Sequence, residues 1–203
     1  MAASRRNPLK PVPKRRKLRK VAFCITEGET ERDYLAMRCI QEALKKRGEI
    51  SLKMIRGHRG QTDPASLVRH IKKHLSGGKL RSGDSAWIVM DRDEWTLGQV
   101  ERALKWGGER TGHHVVISNP KFEVFLLQHF EDCRGQLTSA ETDIKLKRYW
   151  NAYNKHIPMD KFDIDQVKTA CQRSRARSHV DDNGIPIQGS SEVHQLVEYL
   201  IGE

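Results

Sequence analysis

Apolar residues fall along this chain in short unbroken runs, separated by longer stretches in which they recur every three or four positions. Short apolar runs bounded by turn residues read as strands buried on both faces, the kind found in parallel sheets. Four such runs occur, at 21–26, 50–55, 86–90 and 113–118. After Thr30, the positions Glu31, Tyr34, Leu35, Met37, Arg38, Ile40, Gln41 and Leu44 trace an amphipathic helix that ends near Lys46-Arg47-Gly48. Asp63 is placed to cap a helix opening at Pro64, with Leu67, Val68, Ile71 and Leu75 on one face and Gly77-Gly78 as its stop. A further helix is expected over 97–110, and 122–130 is apolar enough to read as a buried helix. This alternation predicts an α/β fold, a small parallel sheet with helices on both faces.

Beyond Glu131 the pattern changes. Segments 141–155 and 164–176 read as charged helices, and a polar stretch with Asn183-Gly184 and Pro186 leads to a last helix from Ser190 or Ser191 to Leu200. The expected organisation is a basic tail (1–20), an α/β domain (21–135) and a C-terminal α-helical extension (136–203) closing over one side of the sheet. The extension could also be a contact surface for another subunit, as in a homo-oligomer.

Charge sharpens this picture at one end. The chain has 37 Lys and Arg against 26 Asp and Glu, a net +11, but nine of the basic residues lie in the first 20 positions. The remainder carries 28 basic and 26 acidic groups, so the body is nearly neutral. The tail, disordered alone, either holds a polyanion through phosphate contacts or simply solubilises the terminus. No apolar run approaches the roughly 20 residues of a membrane span, and no secretory signal is visible. Cys24, Cys39, Cys133 and Cys171 are scattered, which argues against a disulfide framework or zinc knuckle and for a reduced, cytoplasmic setting.

Candidate chemistry lies where two of the apolar runs end. The first run is followed by Glu27-Gly28-Glu29-Thr30-Glu31, the third by Asp91-Arg92-Asp93. Ligands of open α/β sheets bind at the carboxyl ends of strands, and carboxylates there suit a hard divalent cation. Glu27 sits at a strand tip, where Gly28 is expected to allow a tight turn. Glu29 and Glu31 fall at a helix start, where acidic side chains complement the dipole. Asp91 and Asp93, two apart, would point the same way from an extended strand end and repel unless a cation lies between them.

Basic candidates for gripping phosphates are Arg56, His58 and Arg59 in the loop after the second run, and Arg173, Arg175 and Arg177. The first loop lacks the Gly-Lys-Ser/Thr end of a P-loop, which disfavours nucleotide hydrolysis. Tyr149, Trp150 and Tyr153 read as helix packing, and none of the nine histidines has a zinc-protease or zinc-finger spacing.

These pieces, together with Ser118-Asn119-Pro120-Lys121-Phe122-Glu123, the apolar Leu126-Leu127-Gln128-His129-Phe130 and the closing Gly189-Ser190-Ser191-Glu192-Val193-His194, resemble the RloB-like proteins of bacteria over residues 20–201. The two acidic motifs are shared more widely with Toprim-type folds; the Ser-Asn-Pro segment and its helix are the discriminating part. The resemblance implies a Toprim-like (Rossmann-like) domain in a phage-defence gene, often beside an ABC- or AAA-type ATPase partner. It implies a magnesium- or manganese-dependent nuclease acting on DNA or tRNA. Carried over by motif, Glu27 would be the general acid/base or a metal ligand, and Asp91 and Asp93 would hold the metal. Glu123 would add a carboxylate or buttress its helix, and Lys121 would touch a scissile phosphate. Strand joining is a weaker reading, because no separate domain is left for a nucleophilic tyrosine. A non-catalytic or partner-gated module binding nucleic acid or an ATPase is the alternative from another class.

Overall fold

The computed structural model describes residues 19–57, 60–78, 80–93 and 95–203. The four apolar runs form parallel strands, β1 (Lys20–Thr26), β2 (Ile50–Met54), β3 (Ser85–Asp91) and β4 (His113–Asn119). A two-residue strand, β5 (Ser190–Ser191), joins β4 antiparallel, and the sheet order is β2-β1-β3-β4-β5. Both faces of the central strands are buried. Ala22 and Cys24 of β1 and Trp87 and Val89 of β3 enter one core, while Phe23, Ile25, Ala86, Ile88 and Met90 enter the other. The period-two alternation of a strand thus feeds two apolar layers, which is why these runs carry no polar face.

Helices α1 (Glu29–Leu35) and α2 (Arg38–Arg47) connect β1 to β2 on the first face. Helices α3 (Pro64–Leu75) and α4 (Leu97–Gly108) carry the chain back across to β3 and β4 on the second. The path reverses between β1 and β3, so the crevice outside their carboxyl ends is the topological switch point where such sheets bind ligands. As expected, Asp63 caps α3, accepting from the Ser66 N–H at 3.0 Å, and Gly77 and Gly78 follow the helix with positive φ.

The C-terminal part supplies α6 (Ser139–Tyr149), α7 (Ile164–Ala176) and α8 (Val193–Ile201), reached through the short α5 (Glu123–Leu127). Leu146, Val167, Ala170, Leu196 and Leu200 share one core with α1, α2 and the first sheet face.

Three local expectations are corrected. The helix expected from Thr30 to Lys46 is two helices, because Met37 turns to an extended conformation, buries its side chain, and leaves the Arg38 N–H to bond the Met159 carbonyl at 2.9 Å. The 141–155 helix stops at Tyr149, and Trp150–Ile157 becomes a loop anchored by Trp150, Tyr153 and Ile157 in the core. Ser190 and Ser191, read as a helix start, are strand: their backbone pairs with Ser118 and Asn119, and the Ser191 and Ser118 hydroxyls meet at 2.9 Å.

Among the described residues no helix is long and apolar enough to cross a membrane, and all four cysteines are free thiols.

Candidate active site

Strand register brings the acidic motifs together. Thr26 pairs with Val89, so the next residue, Glu27, bonds its own N–H to the Val89 carbonyl (3.0 Å) and lies beside the end of β3. Among the described residues, its carboxylate accepts from the Asp91 N–H at 3.0 Å and the Trp95 indole N–H at 3.1 Å. Asp91 is the last residue of β3. It is half-buried as a residue, but its Oδ1 is shut off from solvent with no hydrogen-bond partner. Burial, and then the charges of Glu31, Glu27 and Glu123, hold its carboxyl well above the ordinary range.

Glu31 joins this group. It is 4% exposed, its Oε2 has no partner, and burial followed by the Glu27 and Glu123 charges raises it to about 7. Gly28 makes room for it. The chain bends at Glu27 and Gly28 as expected, but the Gly28 backbone is extended (φ −116°), and what requires glycine there is space: a Cβ would stand 2.6 Å from Glu31 Oε2. Thr30, Glu31, Tyr34 and Leu35 form the buried stripe of α1. Spacing alone therefore put Glu31 on the inner face, a signal outweighed in the sequence reading by its place in a helix's first turn.

Glu123, at the start of α5 and 3% exposed, completes the set. Its Oε1 accepts the Tyr153 hydroxyl at 2.7 Å and lies 3.1 Å from Lys155 Nζ. Lys155 lies at the exposed mouth in a left-handed conformation (φ 73°), its carbonyl tied to the Thr30 hydroxyl at 2.8 Å. Such a backbone in a non-glycine residue costs of order 1–3 kcal/mol and tends to occur at functional sites. Glu27, Glu31, Asp91, Glu123, Lys155 and His156 line one cleft of about 310 Å³.

Other candidates lie elsewhere. β3 ends at Asp91, and the chain turns as the Arg92 N–H bonds the Ser118 and Pro120 carbonyls. The strand alternation therefore stops, and the exposed Asp93 accepts from the Ser139 hydroxyl in a different cavity. Lys121 is buried, ion-paired with Asp143 at 2.7 Å, and does not line the cleft. Arg56 borders a neighbouring cavity; His58 and Arg59 lie outside the described residues. The helical course of α7 separates the last three arginines. Arg173 donates to the Gln128 carbonyl and pairs with Asp132, Arg175 pairs with Glu198, and Arg177 donates to the Gly135 carbonyl.

Sequence reasoning missed Trp95 and Lys155 as well as Glu31. Trp95 gave no sequence signal. Lys155 had one: Asn151, Asn154 and Pro158 are poor company for a helix.

Among the described residues no group of three or more His, Cys, Asp or Glu stands arranged to hold a metal ion. The donor set still suits a hard cation. Five carboxylates, Glu27, Glu29, Glu31, Asp91 and Glu123, line one cleft, and Asp91 Oδ1 and Glu31 Oε2 are buried with no hydrogen-bond partner.

The model of the RloB-like protein family matches residues 23–200. No curated protein and no solved structure matches the chain.

Proposed function

The chain belongs to the RloB-like family, and from that premise we propose that it is a divalent-metal-dependent hydrolase of nucleic-acid phosphodiesters, DNA or tRNA, serving as an effector of anti-phage defence. The observation that carries the chemistry is the meeting of Glu27, Glu31, Asp91 and Glu123 at the switch point, with two buried carboxylate oxygens unpartnered. The defence role, and an ABC- or AAA-type ATPase as partner, rest on the family resemblance alone.

Glu27, Asp91, Glu31 and Glu123 would hold magnesium or manganese. Bound there, the ion supplies an activated water and offsets charge on the phosphorane-like transition state. The remaining work belongs to the chain's own groups. The Asp91 N–H and the Trp95 indole fix the direction of Glu27. With no ion bound, burial and the neighbouring charges raise the Glu31 carboxyl to about 7, so taking up a cation there would release its proton. Lys155 brings an ammonium to the mouth of the cleft, where it can donate to a phosphate oxygen. Asp93 and Lys121, assigned to the metal and the phosphate by motif, have no part in this reading.

One observation favours a second reading, a partner-gated or purely binding module. Lys155 is already paired with Glu123, and no three carboxylates stand ready for a metal among the described residues. The two separate cleanly. Plasmid DNA, single-stranded DNA and total tRNA are incubated with magnesium or manganese and wild type, Glu27→Ala or Asp91→Ala. Cleavage by wild type that both variants lose is the expected result. No cleavage by wild type alone, but cleavage on adding the ATPase partner, identifies gating; polynucleotide binding with no cleavage under any condition removes the hydrolase reading.

A further inference from the structure

Across the Glu27-Gly28-Glu29 ridge from the acidic cleft lies a cavity of about 270 Å³. Arg32 of α1 and Arg56, just beyond β2, line it together with Thr26, Gln61 and Thr62. Neither guanidinium has an ion pair or hydrogen bond among the described residues. Elsewhere the fold uses arginines as struts. Arg47 donates to the Tyr199 carbonyl, Arg92 to Trp95, Arg173 to Gln128 and Arg177 to Gly135. Two arginines with their forks unengaged, walling one cavity beside hydroxyl and amide side chains, have the donor chemistry of a phosphate site.

The position of the cavity sets what fills it. Glu27 and Glu29 of the ridge line both spaces, Glu31, Asp91 and Glu123 line only the cleft, and Arg32 and Arg56 line only the second cavity. A single small diester reaching the carboxylates occupies the cleft alone. A polymer strand passing over the tip of β1 delivers a second phosphate to the arginines. We propose that the Arg32–Arg56 cavity anchors a backbone phosphate of a polynucleotide next to the phosphate in the cleft, so that the substrate is a continuous strand. This rests on the phosphodiester reading given above. Glu29, on the ridge, lines both spaces and opposes a phosphate in either.

The test uses the full chain and a fluorescein-labelled single-stranded DNA of about 20 nucleotides, with total tRNA as competitor, between roughly 50 and 200 mM salt. Wild type is compared with Arg32→Ala, Arg56→Ala, the double variant, Glu29→Gln, and Lys105→Ala on α4 as control. Each arginine removed should make the slope of log affinity against log salt shallower by about 0.7. Glu29→Gln should tighten binding, and Lys105→Ala should match wild type. The tRNA competition shows which polymer the anchor prefers. In parallel, the double variant should lose about tenfold more kcat/KM on the polynucleotide than on bis(p-nitrophenyl) phosphate. If wild type hydrolyses neither substrate with magnesium or manganese, with or without the ATPase partner, yet the slopes fall as expected, the hydrolase reading fails and the anchor stands. A double variant with the wild-type slope, or a wild type that binds neither polymer, overturns the anchor.

Discussion

Alanine at Gly28 is compatible with the extended backbone there, yet its methyl would stand 2.6 Å from Glu31 Oε2. The main chain therefore tolerates Gly28→Ala while the Glu31 carboxylate must move. The variant should fold with a wild-type circular dichroism spectrum and lose about 10–100-fold in activity, the usual scale for disturbing a supporting contact. Glu31 also sets a pH dependence. In the fold it is raised from 4.5 to about 7, by burial first and then by Glu27 and Glu123. Between those values the folded chain holds a proton that the unfolded chain releases, so stability falls as pH rises. The penalty is absent below about pH 4.5 and complete above about 7. Glu192, raised by burial to about 7, acts in the same direction. His129, lowered by burial from 6.5 to about 3, acts oppositely and weakens the fold as pH falls through that window. Comparing Glu31→Gln with wild type cancels both. The metal-free variant should gain several degrees in Tm relative to wild type between pH 5 and 7.5, and a difference that stays flat over that range would contradict the assignment.

At the scale of elements, the loop between α6 and α7 matters most, because it carries Tyr153 and Lys155 to the cleft. The Tyr153 hydroxyl donates to the buried Glu123, and hydrogen bonds to charged groups contribute about 1.5–3 kcal/mol. Tyr153→Phe should lower unfolding stability by about that much in urea, while Tyr149→Phe, whose partner Glu131 lies outside the cleft, should cost activity nothing. Helix periodicity ran through this loop because Tyr149, Trp150 and Tyr153 are apolar at helical spacing. Trp150 and Tyr153 are buried, but as anchors of an irregular segment, while Tyr149 ends α6 with its side chain exposed. The break at Met37 has a similar origin, since its cause is the Met159 carbonyl, far away in sequence. Strands and the capped α3 were legible because their signals are local: unbroken apolar runs, an Asp before a Pro, a Gly pair after the last turn.

On the scale of the whole molecule, the cleft is a store of like charge that a divalent cation would relieve. Binding at about a hundredfold excess over Kd should raise Tm by about 5–10 °C, and Asp91→Ala should abolish the rise. Trp95, half-buried against Glu27, gives the same titration a fluorescence readout that Trp87, Trp106 and Trp150, all buried, should not share. The sequence by itself determined the α/β class, the strand positions and two acidic strand ends, since buried strands and strand-end carboxylates are written in consecutive residues. It also supplied the family resemblance, through short contiguous motifs. Only the tertiary structure decided which carboxylates meet. Register set Glu27 against Asp91, the turn after β3 took Asp93 away, and the inner face of α1 delivered Glu31. A site of this kind is assembled from strand ends, a helix face and a distant loop. Its membership depends on distances across the fold that local spacing does not encode.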